Sequence, residues 1–374
     1  DAKKAVKKAT LSLSAIGLYA AYINDERVGR DVLAPGWTIY NERVQYQTHD
    51  VTSLLQKDNT LRIEVGAGWA VGSIAWGTKI FADQTAMIAA LSVSYTDGTR
   101  EEIVSDTAWD VYTTHILYSD IYHGETVDKT AEIKHLGKAI RSDYKTKLIP
   151  QVGELITEHE HVAPVKLIRT PKGETVIDFG QEVTGYVEVR MQAERGARIM
   201  LHHAEVLDKE GNFYTENLRK AKFENLYICS GDVDVFKPSF SFQGFRYVRL
   251  TEFPTEQVDL DCFCAIVVHS DMKRTGYFRC ANEKINQLYH NVIWGQKGNY
   301  LDTPTDCPQR DERLGWTGDA QVFCLSAMYN ADCRAFFRKY LQDVRDAQAE
   351  NGMIDSVAPT VWRDFDKGKG SPAW

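Results

Sequence analysis

The stretch DTPTDCPQRDERLGWTGDAQ, Asp302 to Gln321, sets five acids, two arginines, two prolines and a tryptophan into twenty residues, and the pattern of the chain changes around it. Before it, apolar and polar residues alternate in short runs. On either side of it the apolar residues recur at i, i+3 and i+4. In NEKINQLYHNVIWGQKGNYLD, the positions Ile285, Leu288, Tyr289, Val292 and Ile293 make one helical face, with Asn282 placed as N-cap. DAQVFCLSAMYN predicts a second helix and DCRAFFRKYLQDVRDAQAENG a third, with Phe337, Tyr340, Leu341, Val344 and Ala347 on one face and Gly352 where a C-cap belongs. TPTDCP resists helix because each proline restricts itself and the residue before it, so Asp302 to Trp316 is expected as an ordered loop between two helices.

Upstream the signals are those of antiparallel sheets. Asn24-Asp25 separates two strand-like pieces, and Asp97-Gly98 sits between an alternating run and its partner, a hairpin signal. The β pattern restarts after about residue 150 in ETVIDFG, GYVEVRMQA, ARIMLHHAEVLD, NLYICSG, GFRYVRLTEF and DLDCFCAIVV. The expected fold is therefore mostly β and then α. It comprises an antiparallel β-sandwich over 1–150, a second over 151–270 and a helical domain over 271–374.

Lys and Arg number 44 against 52 Asp and Glu, and the basic residues are scattered apart from KKAVKK near the start. No basic stripe is present to displace counterions from a phosphate backbone, so a nucleic-acid partner is not expected. The longest apolar run, Cys262 to Val268, is far shorter than the roughly 20 residues a bilayer-crossing helix needs, so no membrane insertion is expected either. The seven cysteines lie between Cys229 and Cys333 with no metal-type spacing and read as reduced thiols. No leader is visible, which leaves the compartment open between cytoplasm and periplasm. His159 and His161, like the pair His202-His203, lack a third ligand, so no metal and no cofactor are expected. The 8 Trp and 18 Tyr offer flat apolar faces beside polar groups, surfaces that suit sugars as well as a β core; Trp37, Trp69, Trp362 and Trp374 each admit both roles.

The loop itself admits two readings on its residues alone: a solvated charged surface, or a site. Arg310 and Arg313 flank Asp311-Glu312, and a guanidinium can hold one carboxylate ionised while burial keeps another protonated. Leu314 and Trp316 bring apolar surface, which raises a carboxyl toward the range of a general acid. Asp306, Glu312 and Asp319 are spread over a segment able to curl round a small ligand, a pattern fitting glycoside hydrolysis by two carboxyl groups. Against this, Asp319 follows Thr317, a candidate N-cap, and can simply favour a helix N-terminus, while Asp306 can stabilise a turn.

DCPQRDERLGWTGDAQ, Asp306 to Gln321, resembles the signature region of the bacterial α-L-rhamnosidases of glycoside hydrolase family 78. The resemblance extends to YINDERVGRDVLAPGWTIYNERVQYQTHDVTSLL (Tyr22 to Leu55) and to DFGQEVTGYVEV, HHAEVLDKEGNFYTENLR and FSFQGFRYVRL, so it covers nearly the whole chain. It implies that the helices open an (α/α)6 barrel and that terminal non-reducing α-L-rhamnosides are hydrolysed with inversion. By the same resemblance Glu312 falls on the general acid, Asp306, Arg310 and Asp319 on groups that bind the rhamnose hydroxyls, and Trp316 on a ring lining that subsite. It also places the general base on a Glu beyond Trp374 and makes the chain the N-terminal part of a longer enzyme, with GSPAW matching a further family segment. Two other functions remain open at this level: a non-catalytic carbohydrate-binding protein, and a glycosidase or lyase of different sugar specificity.

Overall fold

The computed structural model describes residues 4–361 and Gly370; Trp362, Trp374 and most of GSPAW lie outside the described residues. Strand Val6–Ile16 buries every second side chain, Ala9, Leu11, Leu13 and Ala15, as the pleat dictates. It centres a five-stranded sheet ordered Lys147–Pro150, Arg43–Asp50, Val6–Ile16, Ala86–Tyr95, Arg100–Val104. A three-stranded sheet, Glu26–Arg27, Leu18–Ile23 and Leu61–Gly66, supplies Tyr19, Ala21 and Ile23 to the same core. Both expected turns form: Asn24 and Asp25 take positive φ (52° and 65°), and Gly98 takes φ 86°.

The second β unit is organised by an 18-residue strand, Thr175–Gln192, which unites two runs expected as separate strands. A bulge between Asp178 and Val183 shifts its register against Gln243–Glu252, which stays paired with it as far as Gly185. Its first half pairs with Lys166–Arg169 and Gln243–Glu252, its second with Phe263–Ser270 and Val233–Phe236. Ile177, Val187, Leu201, Phe236, Phe245 and Val267 gather in the core it helps to enclose.

The chain crosses between the two β units on its way to residue 150. Strand Gly124–Asp128 runs parallel to Glu224–Ile228 in the second sheet, whereas Lys147–Pro150 runs parallel to Arg43–Asp50 in the first. Apolar burial accounts for the exchange. Ile121 and Tyr122, just before Gly124, pack in one cluster with Trp37, Phe223, Phe242, Leu301 and Leu314, so a single core joins both β units to the loop. Trp37 and Trp69 stack on each other in that core (centroids 6.1 Å apart, 7° between planes), which settles both as packing residues.

Helices follow at α1 (Glu283–Asn299), α2 (Thr317–Asn330) and α3 (Arg334–Asp346). Asn282 caps α1 as expected, its Oδ1 accepting from the Lys284 N–H at 3.0 Å. The cap of α2 is Trp316 and not Thr317, whose hydroxyl instead donates to the Ser356 carbonyl at 3.1 Å. Helix α3 ends at Asp346, well before Gly352, which turns a later loop with φ 84°. The apolar face expected on α1 is only partly covered, with Leu288 61% accessible and Ile293 alone of the five buried. No helix among the described residues is long and apolar enough to cross a membrane. All seven cysteines are free.

Two histidines in the second β unit make the fold acid-sensitive. His203 is wholly buried against Phe245 with one ring nitrogen 2.9 Å from the Phe223 carbonyl oxygen, and His269 stacks on His159 at 3.6 Å. Burial pushes both imidazoles down to about 4, assisted at His269 by the charges of His159 and Lys297. In the unfolded chain the same groups bind protons near 6.5. The neutral rings therefore contribute stability above that pH, and the contribution is lost as pH falls from about 6.5 toward about 4, the loss reaching roughly 2 kcal/mol per ring at pH 5. Thermal unfolding should show a lower Tm at about pH 5 than at about pH 7, and His203→Gln should flatten that slope; an unchanged slope rules the assignment out.

Candidate active site

The loop after α1 leaves the core through a buried anchor. Asp302, at φ 62°, accepts from the Trp37 N–H at 2.6 Å and from Lys339 Nζ at 2.9 Å, while its own N–H donates to Ser270 Oγ. A second anchor is Arg313, whose guanidinium is buried among the rings of Tyr122, Phe223 and Phe242 and donates to the carbonyls of Ile121 (3.1 Å) and Phe242 (2.9 Å). Arg313 therefore does not partner the carboxylates, as its place in the sequence suggests. It fastens the loop to both β units, where ring faces and two carbonyls take the place of an acidic partner.

Between these anchors the loop closes on itself. Asp306 accepts from the Leu314 N–H at 3.0 Å through Oδ1 and from Arg310 at 3.2 Å through Oδ2. Arg310 also donates through Nε to Glu312 Oε2 at 2.9 Å, and Trp316 donates through Nε1 to Glu312 Oε1 at 3.1 Å. Asp306, Arg310, Glu312 and Trp316 thus form one hydrogen-bonded network. Asp319, in the first turn of α2, stands outside it, exposed at the surface yet close enough for the Glu312 charge to act on its carboxyl. Asp306 and Asp319 share the walls of an open cleft with Gln296, Asn299, Tyr300 and Phe323; Glu312 is not among the lining residues.

Environment pushes the acids apart. Burial raises the Asp306 carboxyl, with the Glu312 charge adding to the effect, and burial followed by Glu312 raises Asp319. Burial also works to raise Glu312, but hydrogen bonds and charge from Arg219 and Arg310 outweigh it and hold that carboxyl below the ordinary range.

Arg219 is not legible as a site residue in the sequence. It lies in a loop of the second β unit, after the one-turn helix Glu216–Leu218, and pairs with Asp311 at 2.9 Å and with Glu312. Tyr122 donates its hydroxyl to the Glu312 carbonyl, again from a distant strand end. Behind the loop, Glu205 accepts from Asn217 at 3.0 Å, and burial pushes the neighbouring Glu182 up to about 9. No local spacing marks any of these; contact across the domain junction selects them.

Asp306, Cys307 and Glu312 offer ligand atoms within 4.8 Å of one another. Those carboxylates are already engaged by guanidinium, backbone and indole donors, and burial pushes the Cys307 thiol up to about 12. A cation there would have to displace two arginines, so the donor set describes an ion-pair network.

The described chain is therefore of a mostly β, then α class, with a loop rich in bonded carboxylates between α1 and α2. Comparisons narrow the class. The α-L-rhamnosidase N-terminal domain matches residues 4–169, the bacterial α-L-rhamnosidase concanavalin-like domain 168–269, and the bacterial α-L-rhamnosidase 6 hairpin glycosidase domain 273–374. An α-L-rhamnosidase of Streptomyces avermitilis is 38% identical over 99% of this chain, which covers 37% of that protein, and one of Formosa agariphila is 35% identical over 99% of this chain, with 41% of that protein covered. The crystal structure of the Streptomyces avermitilis enzyme complexed with L-rhamnose superposes with a TM-score of 0.92 at 37% identity, over 96% of this chain and 36% of that one. Native α-L-rhamnosidase from Aspergillus terreus gives 0.91 at 35% identity, over 98% of this chain and 44% of that one. The chain belongs to the bacterial α-L-rhamnosidase family and spans about two fifths of the length of the curated relatives it matches.

Proposed function

We propose that the protein carrying this chain hydrolyses terminal non-reducing α-L-rhamnosides with inversion, Glu312 acting as general acid. Asp306, Arg310 and Asp319 bind the sugar hydroxyls, and Trp316 packs its ring against the sugar. The observation that supports this best is the network itself, which ties Asp306, Arg310 and Trp316 to Glu312 beside a cleft walled by Asp306 and Asp319. A relative solved with L-rhamnose bound supports the choice of sugar. The 6-deoxy carbon favours an apolar wall where a 6-hydroxyl sugar needs a polar partner, and Phe323, Ala320 and Val292 line the cleft.

A proton donor must be neutral when the bond breaks, and the arginines oppose that in the free site. Sugar hydroxyls that draw Arg310 away, together with exclusion of water, shift Glu312 toward its acid form on binding. Inversion requires a base carboxylate roughly 6.5–9.5 Å from the acid. We place that base in the part of the relatives' length that this chain does not span. The same reading takes 271–374 as the opening of an (α/α)6 barrel and keeps 1–150 and 151–270 as β-sandwich domains. The exposed Leu288, Val322, Leu325 and Tyr329 then mark where neighbouring helices pack.

Assay with p-nitrophenyl α-L-rhamnoside and the matching mannoside tests the sugar, and NMR of the first-formed anomer tests the stereochemistry. Turnover of the rhamnoside with release of inverted sugar is expected; preference for the mannoside, or retention, overturns the reading.

A further inference from the structure

We infer that Arg219, supplied by the second β unit, is a positioning residue that sets the charge state of Glu312. This rests on the role proposed above for Glu312. The Arg219 guanidinium bridges two consecutive acids, meeting Asp311 Oδ1 through Nε at 2.9 Å and Glu312 Oε2 through Nη2. Its backbone is well anchored for a loop residue. The Arg219 N–H donates to the Glu216 carbonyl at 3.2 Å, and Leu218, Ala221 and Phe223 on either side are buried in the core that also contains Leu314.

The charged and titratable groups facing Glu312 come from several elements. Arg310, Asp306, Cys307 and Asp311 lie on its own loop, Asp319 on α2, and Arg219 on the β unit, while the Tyr122 hydroxyl holds the Glu312 carbonyl. Arg310 and Arg219 are the cations of this set. Arg310 shares its charge with Asp306, and Arg219 shares its charge with Asp311. Both carboxylate oxygens of Glu312 thus receive donors: Oε1 the Trp316 indole, Oε2 both guanidiniums. Lowering the affinity of Glu312 for its proton makes it the stronger acid and leaves less of it protonated at neutral pH. The second β unit adjusts this balance from 93 residues away in sequence.

The test is the pH dependence of kcat/KM for phenyl α-L-rhamnoside, a substrate whose poor leaving group needs the acid. In the protein carrying this chain, Arg219→Gln should move the basic limb up by about one pH unit, since one of the two contacting cations is removed. Arg219→Lys should leave the limb near its wild-type position. Should the Gln variant not fold, Asp311→Asn, which removes a neighbouring negative charge and leaves Arg219 to Glu312 alone, should move the limb downward. A limb that stays in place in the folded variants overturns the proposal, whatever happens to Tm or overall rate. Failure of the underlying reading shows differently: Glu312→Gln would then turn over the same substrate at the wild-type rate.

Discussion

Replacing Glu312 with Gln lowers kcat/KM for phenyl α-L-rhamnoside by about 10²–10⁴-fold, the range that a positioned general acid supplies. The loss shrinks for p-nitrophenyl rhamnoside, whose leaving group departs without full protonation. Glutamine keeps an oxygen for the Trp316 indole, so the loop loses its proton donor without losing that hydrogen bond. The ion pairs given up with Arg219 and Arg310 are solvated on the arginine side, at 43% and 36% exposure, and such pairs contribute little to stability, so Tm should hardly move. Steady-state kinetics on the two aryl substrates, with a melting curve for each protein, decide the matter. Equal losses on both substrates, or wild-type turnover, remove Glu312 from the acid role.

Replacing Lys339 with Met destabilises the fold by about 3–5 kcal/mol, the cost of stranding buried charge. Lys339 is fully buried and places its ammonium 2.9 Å from Asp302 and 2.9 Å from Asp343, with further bonds to the Trp37 carbonyl and the Thr303 hydroxyl. Arg43 reaches the same centre from the first sheet, pairing with Asp343 and Asp346. Without Lys339, the acids Asp302, Asp343 and Asp346 face Arg43 alone. Asp343→Asn should cost less, because it leaves Asp302 and Asp346 matched by Lys339 and Arg43. Denaturant unfolding should rank the proteins wild type, Asp343→Asn, Lys339→Met in falling stability. A Lys339→Met cost below about 1 kcal/mol would show that the cluster relaxes or admits water. The network ties the first β unit, the entrance of the 302–316 loop and α3 together, so its loss should also lower activity through misplacement of that loop.

The helices α1 to α3, the turns at Asn24-Asp25 and Asp97-Gly98, and the loop at 302–316 are legible in the sequence because each is set by short-range rules. Residue period, turn conformers and proline restriction act within a few positions. The buried face of α3 is only partly legible in this way. Its apolar positions predict burial of Phe337, Tyr340, Leu341, Val344 and Ala347; Tyr340 and Ala347 are buried and Phe337 and Val344 pack partly buried, but the helix also turns Phe336, Lys339 and Asp343 inward and leaves Leu341 63% exposed. Lys339 and Asp343 count as polar in any pattern until Asp302 and Arg43, remote in sequence, are seen to partner them. The joining of two expected strands into Thr175–Gln192, and the exchange of strands ahead of residue 150, are hidden for a similar reason. A bulge and a parallel pairing leave no local periodicity.

At the site the division is the same. Residue identity alone determined that one loop carries Asp306, Arg310, Glu312 and Trp316, and the likeness of that loop determined the family. Tertiary structure decided which groups act on Glu312. It turned Arg313 away into a box of aromatic rings and brought Arg219 to the carboxylate from the second β unit. The physical reason is reach: a charge acts on whatever lies within a few ångströms of it, and that neighbourhood exists only once the sheets and the helices have packed on one core.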